Sequence, residues 1–517
     1  MMRHNPSPRA SQDATSIDSI PLLTQNEDYT QPQTEKPRSS SDYTPLVPDE
    51  ELDIESPYDT PRSSRIQSTV ARIMSFFSTV LPALIPTFIY LFSKKEQKKL
   101  RPTASLDGLR GMAALLVTLG HYYNIYTECN SGFIPGDKGT HSVWNLPIFK
   151  LFYSGKSMVF VFFVISGYVL SLKSIRCMRQ RDWSTLLSSL ASSTFRRGMR
   201  LYGPTVIIIA MICFISKLGF WVPARANNHL VRIDMNVAPK QFPTWGEQFH
   251  HYWWVLSDLL NVWKPLGNAI NTLDPVIWTI PIEFKGSIII FILMLGTCKI
   301  RQGLVRKALM GACLGHQVFY EQWDVVLFFS GMLLAEYDTP STIIKTVKEE
   351  PKTQTWKAHL FWAVNVFVGC WLCSSPFHDP HKSWGYIWIT PIASFFYRDV
   401  TRFWPSVGAI ILVNAATKSH FFKWFLTTRI VQYLGDVSFS VYLVHSPFYL
   451  GFAAWWVPKL FAYAGANMAL KWFFVDMGWV ISMVFVFIMG DWVWRFIDTP
   501  CVNFARWLEG KVFLKED

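Results

Sequence analysis

Ten apolar runs constrain this chain more than any other feature. They lie near 107–126, 157–173, 201–220, 277–298, 307–321, 323–337, 358–375, 402–417, 437–457 and 471–494. A helix of about 20 apolar residues matches the hydrocarbon thickness of a bilayer, and in lipid only helices and closed barrels satisfy every backbone polar group. The expected fold is therefore all-α, a polytopic transmembrane helical bundle of about ten spans. The fifth and sixth runs are short, and composition alone does not place the break between them.

The charges support the same class. Only 17% of the 517 residues are charged, while 50% are hydrophobic and 23 are tryptophan. Residues 1–70 carry twelve acidic and six basic side chains, so the chain's net charge of +12 leaves +18 on the remainder. A basic remainder can signal nucleic acid, but here the cations sit in short clusters between apolar runs. No nucleic-acid partner is expected. The clusters are Lys173–Arg200, Lys299–Lys307, Lys345–Lys357, Lys418–Arg429 and Arg506–Lys515. All fall on one side when ten spans are threaded with both termini cytoplasmic, as the positive-inside rule requires.

Residues 1–70 are rich in Ser, Thr, Pro and acids and hold too little apolar surface to offset the entropy of ordering, so a disordered tail is expected. Residues 73–92 are apolar but contain Pro82 and Pro86 and are flanked by cations at both ends. They read as an interfacial or re-entrant helix. A membrane domain over 103–505 and a cytoplasmic tail over 506–517 complete the chain. The long loops 221–276 and 376–401 face the other side, and the first contains "WGEQFHHYWWVLSDLLNVW" (245–263), an amphipathic stretch suited to the membrane surface. Cys370 and Cys373 spell C-x-x-C inside an apolar run, where small-residue packing outweighs redox or zinc chemistry. The sequence says nothing of oligomeric state.

Ionisable residues inside the apolar runs are the candidates for chemistry. In "SLDGLRGMAALLVTLGHYY" (105–123), Arg110 and His121 are eleven residues apart. That is three helical turns plus about 20°, so they share a face roughly 16 Å apart along the axis. "STFRRGMRLYGP" (193–204) brings Arg196, Arg197 and Arg200 to the mouth of the third run, and guanidinium forks grip phosphoryl oxygens. "VIWTIPIEFKG" (276–286) places Glu283 within the fourth run, and "VSFSVYLVHSPFYL" (437–450) places His445 and Ser446 beside Pro447 in the ninth. Plainer readings stand beside these. Arg110 can snorkel and pair with Asp107, the arginines can be positive-inside bias, and either histidine can bond between helices.

These stretches, together with "FVFFVISGYVLS" (160–171) and "YLGDVSFSVYLVHSPF" (433–448), occur in family order and resemble the acyltransferase-3 family of integral-membrane acyltransferases, in particular its fungal members. The resemblance covers about 103–505. It implies transfer of an acyl group, often acetyl, from acyl-CoA to a hydroxyl of a carbohydrate, lipid or small metabolite; a thioester already has a good leaving group, so no metal is expected. It carries the family's functional pair onto Arg110 and His121, its basic motif onto Arg196, Arg197 and Arg200, and its acid onto Glu283. His121 and Glu283 are thus the expected catalytic residues and the four arginines the expected acyl-CoA grip. His445 and Trp278 are expected to bind the acceptor. Where members often carry Glu-x-Pro, this chain has "IDTPC", with Asp498 in the acid's place. Two other classes stay open: a secondary transporter with buried ionisable residues and Pro-broken helices, and a non-catalytic relative that keeps the fold.

Overall fold

The computed structural model describes residues 84–90, 100–127, 130–137, 142–263, 272–301, 303–339 and 354–513. The tail expected over 1–70 and most of the segment 73–92 lie outside these residues. The described chain is helical, with one isolated parallel bridge between Ser131 and His378. Its principal helices are α1 (Ala104–Tyr123), α2 (Gly155–Gln180), α3 (Trp183–Lys217), α4 (Trp245–Leu260), α5 (Thr279–Thr297), α6 (Gly303–Phe319) and α7 (Trp323–Asp338). There follow α8 (Trp356–Cys373), α9 (Val400–Lys418), α10 (Arg429–Phe448), α11 (Ala454–Ala464), α12 (Met468–Val493) and α13 (Thr499–Val512). Among the described residues, five stretches are long and apolar enough to cross a membrane by length and composition: α2, α3, α5, Arg429–Ala464 and Met468–Val512.

The break between the fifth and sixth runs falls at 320–322, where Glu321 takes a positive φ of 55° and turns α6 into α7. The aromatic stretch at 245–263 is a helix as far as Leu260, started by the Thr244 hydroxyl, which accepts from the Glu247 N–H. Trp245, Phe249, Trp253 and Trp254 are exposed along it, so its apolar side is left for the membrane surface. Cys370 and Cys373 are free thiols, and the buried Cys373 sulfur lies 3.8 Å from the Pro405 carbonyl. Residues 506–512, expected as the start of the C-terminal tail, continue α13. This helix packs on α3 through an Arg196–Glu509 ion pair at 3.1 Å and Phe195–Phe513 ring contact. In the segment 84–90, Leu84 and Ile85 offer carbonyls to Trp492 and Arg495, and Thr87 bonds to the buried Asp491.

Two parallel helix pairs position the interior. Without water-driven attraction between helices in lipid, close packing of small residues brings helices together. A Cβ at Gly435 would stand 2.5 Å from the Asp107 carbonyl oxygen, and one at Gly111 would stand 2.5 Å from the Leu434 carbonyl carbon. Only glycine lets α1 and α10 approach this far. The pairs then run in one direction: Gly111 with Gly435, His121 with His445, Tyr126 with Ala453. Helices α2 and α7 also close on glycines, where Gly167 abuts the Phe328 backbone and Gly331 abuts Val164, and their contacts advance together from Phe160–Trp323 to Arg179–Glu336. Neighbours 328 residues apart in sequence at Arg110 and Ser438, and 157 apart at Arg179 and Glu336, therefore set which side chains face each other.

Candidate active site

One end of the interior is a guanidinium cluster. Arg110 begins one helical turn after Asp107, whose carboxylate lies a loose 3.9 Å away. Its own hydrogen bonds go to neutral acceptors on α10, the Ser438 hydroxyl at 3.0 Å and the Gly435 carbonyl at 2.9 Å. The three arginines of α3 diverge. Arg196 turns outward to Glu509. Arg197 donates to Glu283 at 2.8 Å and to the Ser287 hydroxyl at 2.8 Å. Arg200 is exposed, faces the charges of Arg197, Arg110, Asp498 and Glu283, and has no ion pair within 4.0 Å among the described residues. Guanidinium forks that already hold a carboxylate have fewer donors left, so Arg200 is the best placed of the three to take a phosphoryl group.

Glu283 accepts from Arg197 and from the Ser166 hydroxyl at 3.0 Å. The carboxylate thus ties α5 to α2 and α3, and its contacts lie with the arginine cluster rather than with His121. Asp498 belongs to the same cluster, since it sits beside both Arg200 and Arg110. It lies in the single π-helical turn Trp494–Asp498 between α12 and α13. Such turns recur at functional sites because they re-aim side chains within an otherwise regular helix. A second π turn, Tyr449–Ala453, follows Pro447 four residues beyond His445. Pro447 cannot donate to the preceding turn, and its own carbonyl accepts from the Trp221 indole at 2.9 Å.

Deeper in the bundle stand two histidines, His121 on α1 and His445 on α10. His121 lies deep within the bundle and yet is exposed, so its ring borders a solvent-accessible space in the interior. His445 is fully buried beside it, with ring centroids 5.3 Å apart and planes tilted by 53°. Its Nδ1 lies 2.7 Å from the Tyr442 carbonyl and 3.2 Å from that of Val441, and its Nε2 is buried with no hydrogen-bond partner. Trp278, at the start of α5, is half-buried against the core. Next to it the Tyr442 hydroxyl joins the Thr279 hydroxyl at 2.8 Å and donates to the Val276 carbonyl. Asp274 and Ser446 form a further bond between this connection and α10. Among the described residues no three His, Cys, Asp or Glu side chains gather as metal ligands.

Lys156 is a site residue that the apolar pattern does not reveal. Its ammonium lies 5.0 Å from the centre of the Phe377 ring, and its charge acts on His121. The first turn of α2 abuts α1 at this level, where a Cβ at Gly155 would touch Val117. The second apolar run begins at residue 157 and leaves this lysine just outside its boundary. A single cation placed directly before a long apolar run was the available signal.

A family model described as an acyltransferase domain, that of the acyltransferase-3 family, matches residues 103–494. The chain belongs to that family. It is an acyltransferase, and its apolar helices make it an integral-membrane one. Curated relatives are fungal. It is 26% identical over 452 residues to the O-acetyltransferase PaAT-1 of Phomopsis amygdali, covering 82% of this chain and 88% of that one. The acyltransferase R4 of Phoma sp. is 26% identical over 417 residues, with 70% and 85% covered. Acyltransferase clz18 of Cochliobolus lunatus is 25% identical over 467 residues, with 78% and 95% covered. No solved structure matches the chain. The matched region contains Arg110, His121, Arg196, Arg197, Arg200, Glu283 and His445, and it ends before Asp498.

Proposed function

We propose that this acyltransferase moves an acyl group, acetyl foremost, from acyl-CoA to a hydroxyl of a carbohydrate, lipid or small metabolite. The observation that carries the reading is the pairing of two interior features on one helix. An imidazole that borders solvent-accessible space, His121, stands three turns from an end where Arg200 and Arg110 keep donors to spare. The name of the relative PaAT-1 supports acetyl as the group and oxygen as the acceptor.

In this reading the arginine end is cytoplasmic and both termini lie on that side, where acyl-CoA is made. Arg200 and Arg110 hold phosphoryl oxygens of CoA, with Arg197 fixed by Glu283 as their support. The pantetheine arm runs inward along α1, over the roughly 16 Å that eleven residues of helix span. His121 takes the proton of the acceptor hydroxyl as its oxygen attacks the thioester carbonyl carbon. The C–S bond breaks, and the proton passes from His121 to the departing thiolate. Lys156 adds positive charge beside the reacting centre, where an oxyanion forms. Trp278 offers an apolar face for the acceptor.

The test is deletion of the gene in its host, followed by mass spectrometry for metabolites lighter by one acetyl group. The deacetyl metabolite and radiolabelled acetyl-CoA are then given to membranes carrying the protein. Label is expected in the metabolite. Passage of the metabolite into proteoliposomes without acetyl-CoA, and without labelling, would make the protein a transporter instead.

A further inference from the structure

We infer that His445 is a positioning residue whose Nε2 accepts a hydrogen bond from the ring N–H of His121, so that the two imidazoles work as a dyad. The inference rests on the reading of His121 as the general base. Three observations converge on it. The first is the fixed tautomer of His445. A carbonyl oxygen only accepts, so the short approach of Nδ1 to the Tyr442 carbonyl, at 2.7 Å, places the proton on Nδ1. Nε2 is then a bare acceptor.

The second observation is that this acceptor has no partner. His445 is 0% exposed and its Nε2 is buried without a hydrogen bond. A buried polar atom left unsatisfied costs about 1–3 kcal/mol, so such an atom in a functional interior calls for a donor that arrives during the working cycle. The third observation is distance. An N–H···N bond of about 2.9 Å, with about 1.1 Å from each ring centre to its nitrogen, puts two bonded imidazoles about 5.1 Å apart, centre to centre. The His121 and His445 rings are 5.3 Å apart and tilted by 53°, a separation that matches a bonded pair.

Accessibility assigns the roles. His121 borders the solvent-accessible interior, and His445 is sealed behind it. The accessible ring meets the acceptor hydroxyl. With one ring nitrogen of His121 donating to His445, the other is left unprotonated and turned to the hydroxyl. When that nitrogen takes the proton, the imidazolium keeps its N–H on His445 Nε2, and the same proton later leaves with the CoA thiolate. His445 gains and loses no proton in the cycle. The parallel α1–α10 register, set where Gly435 meets Asp107, holds the two rings at the same depth.

Two near-isosteric variants test this. Asparagine at 445 can place its amide nitrogen where Nδ1 stands and keep the bond to Tyr442, but it leaves nothing at Nε2. Glutamine can place its amide oxygen where Nε2 stands. His445→Asn is expected to lower kcat on the order of 10–100-fold with KM for acetyl-CoA and acceptor little changed, and His445→Gln to recover most of that loss. Folded yield by size-exclusion chromatography accompanies both. Equal rates in the two variants, higher activity in the Asn variant, or a raised KM with unchanged kcat would overturn the dyad. The last result would return His445 to acceptor binding. An active His121→Ala variant would instead remove the base itself, so the two failures are separable.

Discussion

Gly435→Ala offers a demanding link between packing and chemistry. The new Cβ would stand 2.5 Å from the Asp107 carbonyl oxygen and 2.9 Å from its carbon. Both are backbone atoms and cannot swing aside. Ordinary contact begins near 3.4 Å, so α1 and α10 must part by about 0.9 Å locally. Overpacking of this kind costs about 1–3 kcal/mol, too little to unfold a bundle of this size by itself. The chemical effect is larger. Arg110 and His121 ride on α1, while Ser438, Gly435 and His445 ride on α10. A displacement near 1 Å in a reacting constellation costs about 100-fold in rate. We expect acetyl transfer from radiolabelled acetyl-CoA, measured in membranes from the deletion host, to fall by that order while folded protein remains. Gly296→Ala is the control, because nothing lies within 4 Å of its Cβ and alanine favours a helix. Wild-type transfer by the Gly435→Ala variant would show that α1–α10 spacing does not govern the reaction.

Two further perturbations probe the charges. Asp498 opposes Arg200 and Arg110, so Asp498→Asn is expected to lower the KM for acetyl-CoA by about two- to fivefold at low salt, an advantage that added salt erodes; a raised KM would mean that Asp498 holds the arginines in place. Asp274 lies in the connection before α5, where burial pushes its carboxyl from 3.8 up to about 7. A folded-state value above the unfolded one stabilises fully below the unfolded value and loses that stability as pH rises through the folded one. Thermal stability in detergent is therefore expected to decline between about pH 4 and pH 7, with the decline much reduced in Asp274→Asn.

The parts of the site that were legible in the sequence are those set by one helix. Arg110 and His121 share a face because 3.6-residue periodicity leaves no other choice, and α4 was visible in its aromatic stripe. The cluster at 196–200 was legible only as a cluster. Adjacent helical residues diverge by about 100°, so Arg197 turns inward to Glu283 while Arg196 meets Glu509. Arg196 has an acidic partner because α13 folds back onto α3 and supplies Glu509, while Arg200, one turn on, has no ion pair within 4.0 Å among the described residues. Neither the His121–His445 contact nor the place of Asp498 beside Arg200 has a local signal. Both depend on helix pairs joined only through the rest of the bundle. Glu283 showed itself as a carboxylate in an apolar run, but its engagement with Arg197 and Ser166 needed the packing of α2, α3 and α5.

The account stands most directly on His121. In His121→Ala, purified and folded, binding of radiolabelled acetyl-CoA should match the wild type because Arg110 and Arg200 remain. Transfer of the label to the deacetyl metabolite should fall at least about 100-fold, the usual worth of a positioned general base. Transfer at the wild-type rate, with the donor bound normally, would contradict the account.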